Sequence, residues 1–294
     1  ANGSIFTNKY SEGYPGKRYY GGQTYTDQVE TIAIERAKKM FSADHANVQP
    51  LGGANANIAA YFAWLSPGDT VLGMDLGHGG HLTHGHPVTY LSQLFRFIRY
   101  KVKDLTTGEI DYDALRETAL KEKPKLILVG FSCYSREYDY AIIQSIADEV
   151  GAVTMADMAH IAGLIVGGVL KNPFDYGFNI ITSTTHKTLR GPRGGLILSK
   201  GEVGNPFKAP EKIAKNLPTL IDRSVFPGLQ GGPHMNNIAA KAVCFGEALQ
   251  PAFKSYAAQV LKNAKAMEAV FHRENIPMIF GGTSNHLIFI DVFK

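Results

Sequence analysis

Cysteine is nearly absent: the 294 residues hold two, Cys133 and Cys244, far apart and in no metal-ligand spacing. That argues against a disulfide framework or a cysteine-based metal site and for reduced thiols in a cytoplasmic protein. Long hydrophobic runs are missing too. No stretch approaches the ~18 apolar residues of a membrane span and no signal-peptide pattern opens the chain, so a membrane is not among the expected partners. Excess charge of one sign is also missing. Lys and Arg number 30 against 26 Asp and Glu, a formal charge of +4, and the basic residues are dispersed rather than gathered into a tract for nucleic acid. Small anionic ligands are the more natural partners. There is no internal repeat or low-complexity tract. What is present is an ordinary globular composition, 45% hydrophobic, in a chain long enough for one large α/β domain or two smaller ones.

Short apolar runs alternate with helical patterns. Leu126-Ile127-Leu128-Val129-Gly130-Phe131, Ala152-Val153-Thr154-Met155 and Gly195-Leu196-Ile197-Leu198 read as buried strands, and Tyr140 to Glu149 reads as a helix between two of them. This alternation predicts βαβ units and a mostly parallel mixed sheet flanked by helices, an α/β/α sandwich. From Asn236 to His272 the pattern is helical, rich in alanine and lysine, and broken near Pro251. A strand is expected over Leu287 to Phe293, with little left in the sequence to pair with it. These readings divide the chain into an N-terminal segment (1–24), a large domain (25–245), a connecting helix (246–275) and the start of a further domain (276–294) that looks cut short.

Chemistry concentrates in Ser183-Thr184-Thr185-His186-Lys187-Thr188-Leu189-Arg190-Gly191-Pro192-Arg193-Gly194-Gly195. The lead-in Phe178-Asn179-Ile180-Ile181 reads as a buried strand, and Gly191-Pro192 stops anything helical, so Lys187 stands at a strand end. A surface lysine, with a pKa near ~10.4, keeps its proton at neutral pH and cannot attack a carbonyl. Burial beside cationic neighbours lowers that pKa and frees the amine for a Schiff base; His186, Arg190 and Arg193 are the candidate neighbours. Taken alone, the run reads equally well as an exposed basic turn.

Upstream, Gly151 to His160 reads as a strand running into Asp157 and then a histidine. Pyridoxal phosphate needs a carboxylate against its ring nitrogen, because the protonated ring is the electron sink. Asp157 has the place for it, at a strand end, where open parallel sheets meet ligands. His160 then either bonds the cofactor's phenolic oxygen or orients Asp157. A lone Asp at such a place is more often a cap or turn former, but one followed by a strand-borne lysine a βαβ unit later is much harder to dismiss. Pro50-Leu51-Gly52-Gly53-Ala54-Asn55, ahead of a helical stretch, offers backbone N–H groups and a helix N-terminus to a phosphate. Phe226 to Pro233 is a second glycine-rich candidate. His78, His81, His84 and His86 invite a zinc reading; glycines at 77, 79, 80 and 85 make that stretch a loop on which even spacing aligns nothing, and no metal is expected.

Thr7 to Gly22, Gly79-Gly80-His81-Leu82-Thr83-His84-Gly85, Asp157-Met158-Ala159-His160-Ile161-Ala162-Gly163, the lysine run and Gly281-Gly282-Thr283-Ser284-Asn285-His286-Leu287 stand in one order along nearly the whole chain. In these motifs the chain closely resembles the serine hydroxymethyltransferases. These are fold type I pyridoxal-phosphate enzymes that transfer the serine hydroxymethyl group reversibly to tetrahydrofolate, giving glycine and 5,10-methylenetetrahydrofolate. The resemblance implies that Lys187 carries the cofactor as a Schiff base, Asp157 holds the pyridinium and His81 stacks on the ring's open face. Ser132, His160, Gly53, Ala54, Asn55 and Arg193 complete that site. Thr184 and His186 flank the lysine, His186 as a determinant of substrate and reaction specificity. Tyr10, Gly231 and Gly232 would reach the phosphate of a neighbouring subunit's cofactor, Glu12 would be the acid/base group near the serine hydroxyl and the folate, and Tyr20 would handle substrate. Leu76, Gly80, His81 and Leu82 match positions that contact the pterin of the co-substrate tetrahydrofolate. A site shared across subunits implies a homodimer, or a tetramer built on it.

Departures accompany the likeness. Gly52 and Ala54 stand where the family usually has serines, which leaves the phosphate to backbone N–H groups. Arg136-Glu137-Tyr138 replaces small residues, and Lys200 to Asp222 is longer than in many relatives. The family's N-terminal helix and most of its C-terminal domain, with the arginine that binds the substrate carboxylate, have no counterpart. The alternatives are therefore another fold type I aldolase (threonine aldolase or α-methylserine hydroxymethyltransferase), a cofactor-binding fragment impaired in turnover, and a silent scaffold that keeps only the fold.

Overall fold

Runs of consecutive apolar residues become strands covered on both faces, as parallel strands require. The computed structural model describes residues 1–206 and 215–292. The main sheet contains β1 (His45–Asn47), β2 (Thr70–Met74), β3 (Arg96–Tyr100), β4 (Leu126–Gly130), β5 (Val153–Asp157), β6 (Ile180–Thr184) and β7 (Gly195–Ser199). Their spatial order is β1-β7-β6-β5-β4-β2-β3. From β6 across to β3 the strands are parallel, whereas β7 runs antiparallel to β6 and β1 antiparallel to β7. This is the mostly parallel mixed sheet that the alternation predicts.

Side chains alternate across the pleat and so fill two cores from one run. Leu126 and Leu128 of β4 face one core and Ile127 and Val129 the other; Ile180 and Ile181 of β6 divide in the same way. The longer helices are α1 (Thr24–Phe41), α2 (Gly53–Trp64), α3 (Tyr112–Glu122), α4 (Tyr140–Val150), α5 (Met235–Ala248) and α6 (Pro251–Arg273). Ala33, Ala37 and Phe41 of α1 share one core with Ile238 and Phe245 of α5, and α2 packs into the other through Ala56, Ala59, Ala60 and Tyr61. Asp111 and Asp139 cap α3 and α4 by accepting from the backbone N–H groups of Ala114 and Ile142. The helical pattern from Asn236 to His272 is split between α5 and α6, with Pro251 in the first turn of α6, where a missing N–H costs no helical bond.

One expectation needs correcting. Leu287 to Ile290 forms no strand among the described residues: its only ladder contact is a bridge from Ile290 to Met278, because no neighbouring strand is there to extend the pairing, and Phe293 lies outside the described residues. The opening loop contains a small antiparallel hairpin, Gly13–Tyr14 with Lys17–Arg18, turned by Pro15-Gly16 with Gly16 at φ 73. Of the long segment from Lys200 to Asp222, residues 207–214 lie outside the described residues, and Leu217–Arg223 is helical. No helix among the described residues is long and apolar enough to cross a membrane.

The C-terminal ends of β2, β4, β5 and β6 share one edge of the sheet. The pairing of Thr184 with Gly195 brings the start of β7 there, and Gly53 at the head of α2 lies against Thr184. Phe245 of α5 is fully buried in the core that α5 shares with α1 and one face of the sheet. Phe245→Ala should lower stability by about 3–5 kcal/mol, read as a lower denaturant midpoint at unchanged slope; a loss below about 1 kcal/mol would contradict this packing.

Candidate active site

Asp157 ends β5, in register with Gly130 of β4 and Thr182 of β6. Gly130 is at φ 141, and a Cβ there would sit 2.6 Å from the Asp157 carbonyl oxygen, so only glycine lets β4 lie this close. The Asp157 side chain is buried. Its Oδ2 accepts from Asn57 Nδ2 at 2.8 Å and from His84 Nε2 at 3.1 Å, and its Oδ1 accepts from the Ala159 N–H at 3.1 Å. Burial alone favours the neutral acid. The bond and charge of His84, then the Asn57 bond and the charge of His81, outweigh it and hold the carboxyl well below the usual range. A carboxylate offers about four acceptor positions, so these bonds leave one on Oδ1.

Asn57 was not among the expected site residues, and neither was His84 except as one of the histidine run. Asn57 Nδ2 also donates to Thr83 Oγ1 at 2.9 Å, and its Oδ1 accepts from Thr182 Oγ1 at 2.6 Å. One amide thus joins α2, the histidine loop, β5 and β6. The signal that could have found it is a lone amide within the apolar stretch Ala56-Asn57-Ile58-Ala59-Ala60.

The loop after β2 is clamped to the end of β4. Gly79, at φ 111, accepts at its carbonyl from the N–H groups of Ser132 (2.8 Å) and Cys133 (3.0 Å), and a Cβ on it would lie 2.5 Å from the Cys133 carbonyl oxygen. His81 Nδ1 accepts from the Thr83 N–H at 3.1 Å, and its ring lies 5.4 Å from that of His84. Burial lowers the pKa of His81, with Asp157 opposing. Only His81 and His84 of the four histidines come to Asp157, with ligand atoms within 4.8 Å of one another. His78 and His86 turn Nδ1 to the N–H groups of Val102 and Val88. The four histidines therefore do not converge on one point, because the loop divides them. Leu76 and Leu82 are partly exposed on the same loop. Gly80 is packed so closely beneath it that a Cβ would lie 2.3 Å from the Met74 carbonyl oxygen.

Lys187 lies just beyond β6, in a turn closed by Gly191 N–H donating to Thr185 O at 2.7 Å. Its Nζ is 2.9 Å from His160 Nε2. Burial lowers the lysine pKa, with Asp157 opposing and Arg193 assisting. Burial and then the Lys187 charge push His160 down to about 4, against the pull of Asp157. A neutral His160 Nε2 can therefore accept from Lys187. Of the two roles open to His160, orienting Asp157 is filled instead by Asn57, His84 and the Ala159 N–H. Arg190 is not a neighbour that tunes the lysine: its guanidinium sits over the rings of Tyr256 and Phe253 in α6, at 4.3 and 5.2 Å. Arg193 Nη1 lies 3.4 Å from His186 Nε2, and burial, Arg193 and Lys187 lower the His186 pKa. Thr184 turns its hydroxyl to the Ala159 carbonyl at 3.4 Å.

At the head of α2 the first intrahelical bond runs from Ala56 N–H to Gly52 O, 3.0 Å. The N–H groups of Gly53, Ala54 and Asn55 precede it and are available to an anion. A Cβ on Gly53 would lie 2.7 Å from Thr184 Cγ2, so the cradle closes on β6 only because that residue is glycine. Tyr10, Glu12, Tyr20, Gly231 and Gly232 form a separate group. Tyr10 and Tyr20 meet edge to face at 5.7 Å, a Cβ on Gly232 would lie 3.3 Å from the Tyr10 ring, and one on Gly231 would lie 3.6 Å from Glu12 Oε1. The charge of Glu12 raises the Tyr10 pKa. Among the described hydrogen bonds and ring contacts, none joins this group to Lys187 or Asp157.

These donors and acceptors fit a phosphorylated pyridine aldehyde: an amine with a lowered pKa, a carboxylate with a spare acceptor for a ring N–H, and a cradle of free N–H groups. The pKa shifts also set a pH dependence. His160 falls from ~6.5 when unfolded to about 4 when folded, so the unfolded chain binds a proton that the folded chain refuses. Its contribution to stability is intact above ~6.5 and is lost as the pH falls toward 4. Thermal melting of the cofactor-free chain should drop between about pH 7 and 5, less so in His160→Asn; equal losses would contradict the depressed histidine. A family model described as Serine hydroxymethyltransferase matches residues 1–294. The chain belongs to the serine hydroxymethyltransferase family, whose members are fold type I, pyridoxal-phosphate-dependent enzymes.

Proposed function

We propose that this chain binds pyridoxal phosphate on Lys187 and transfers the hydroxymethyl group of serine to tetrahydrofolate. The observation that carries the reading is the Lys187 amine at 2.9 Å from His160, with the Asp157 carboxylate on the adjacent strand. When bound, the cofactor supplies an electron sink for cleavage next to the amino-acid α-carbon.

The residues of the chain do the rest. His160 Nε2, neutral, accepts a hydrogen bond from Lys187 Nζ and orients the amine, whose proton burial has loosened. Asp157 Oδ1 would accept from the protonated ring nitrogen. His81 and Ser132 would cover and contact the ring, the N–H groups of Gly53, Ala54 and Asn55 would hold the phosphate together with Arg193, and Thr184 and His186 frame the lysine. Glu12 moves the proton at the serine hydroxyl or the folate nitrogen, and Tyr20 positions the substrate.

In this reading Tyr10, Glu12, Gly231 and Gly232 serve a second subunit. Their separation from Lys187, and the exposure of Tyr10, Tyr19, Tyr20 and Tyr25, support a homodimer with shared sites, or a tetramer built on it. Leu76 and Leu82 hold the pterin, beside a cavity of about 550 Å³ lined by Leu76, Cys133, Met278, Phe280 and Phe289. The division into an N-terminal arm, a large domain, a connecting helix and a further domain is part of the proposal. So is a cytoplasmic setting, which the free thiols of Cys133 and Cys244 support.

Addition of pyridoxal phosphate should give a yellow protein whose borohydride-reduced adduct maps to Lys187 and is abolished in Lys187→Ala. An adduct at another lysine would overturn the assignment. Exchange of the glycine α-proton should depend on tetrahydrofolate; folate-independent exchange would favour an aldolase of the threonine or α-methylserine type.

A further inference from the structure

Lys241 is a buried lysine with no part in the chemistry above. It projects from α5 and is 1% exposed. Its three donors are all used: Nζ bonds the carbonyl oxygens of Val48 at 2.7 Å, Pro50 at 3.1 Å and Gly195 at 2.9 Å. Burial draws its pKa down to about 7, against the pull of Glu30, and a group so costly to bury is tolerated only where every donor is satisfied.

All three acceptors lie where the chain approaches the head of α2. Gly195 N–H donates to Pro50 O at 2.9 Å, and a Cβ on Gly195 would lie 2.3 Å from Gly52 O, so Gly52 rests directly on Gly195. A Cβ on Gly194 would lie 2.4 Å from Lys241 Cε, so the lysine stem fills the space that a side chain would need. Gln230 fixes the same segment by accepting from Leu51 N–H at 3.1 Å and donating to Gln49 O at 3.0 Å.

We propose that Lys241 is a positioning residue: by tying Val48, Pro50 and Gly195 together it sets Gly52, and with it the aim of the Gly53, Ala54 and Asn55 N–H groups at the phosphate. The inference rests on the cofactor reading above and extends it to a residue remote from the reacting atoms.

The test compares pyridoxal phosphate with pyridoxal, which lacks the phosphate, binding to the whole chain and to Lys241→Met, with the borohydride adduct at Lys187 as readout. Affinity for pyridoxal phosphate should fall about tenfold or more while that for pyridoxal changes less than about twofold. A general loss of packing would weaken both, so parallel losses, or no loss, would overturn the proposal. Should Lys241→Met not fold, Gly194→Ala keeps the ammonium but crowds its stem; it should show the same phosphate-selective loss, and its absence would overturn the proposal. A wild-type chain that forms no adduct at Lys187 would overturn the cofactor reading and this inference with it, whereas adduct formation without phosphate selectivity would overturn this inference alone.

Discussion

A carboxylate buried at the end of β5 is the constraint that the rest of the site obeys. Left without donors, Asp157 would be an uncompensated charge in the interior, strongly destabilising or forced to protonate. Two donors come from far along the chain, Asn57 on α2 and His84 on the loop after β2, and the third is the Ala159 N–H two residues on. Gly130 gives up its side chain so that β4 can lie against it. Thr83 and Thr182 in turn fix the amide of Asn57. Satisfying one charge therefore fixes the positions of a helix, a loop and two strands.

The opposite electrostatic problem is set one strand away. Lys187 is desolvated enough to loosen its proton, and His160 is desolvated enough to be a neutral acceptor. Asp157 opposes both shifts, so the balance depends on its negative charge being already committed to Asn57 and His84. The turn carrying Lys187 is held from behind, by Cys244 against the Leu189 carbonyl at 3.3 Å and by Arg190 over the aromatic rings of α6. Lys241 likewise ties the backbone ahead of α2 to β7, through bonds to the carbonyls of Val48, Pro50 and Gly195. Glycine-rich backbone at this edge of the sheet is thus held by polar groups placed beneath it.

Much of the fold was legible because strands buried on both faces read as continuous apolar runs, so β4, β5 and β7 stand out in the sequence. That Asp157 and Lys187 stand at strand ends was legible for a related reason: each follows an apolar run that reads as a buried strand. The partners of Asp157 were not. Asn57 lies 100 positions away, and nothing local says which apolar helix will bring its one amide to that edge. Arg190 reads as a cation beside the lysine, yet its left-handed backbone, φ 51, accompanies a side chain turned toward α6. The expected strand from Leu287 failed because apolarity alone does not supply a neighbour to pair with. Tyr10, Glu12 and Tyr20 meet one another and not Lys187, an arrangement that sequence order alone cannot separate from membership of one site.

The ionisation of Asp157 can be observed directly. Carbon-13 NMR of the chain labelled at its aspartate carboxyls, with Asp157→Asn to assign the signal, follows that one group from neutral pH down to the acid unfolding transition. The expected signal is that of a carboxylate throughout the folded range, unmoved while the exposed aspartates titrate near ~3.9. A protonated Asp157 at neutral pH, or a midpoint at or above that ordinary value, would show that burial wins over Asn57 and His84, and would contradict the electrostatic basis of the site.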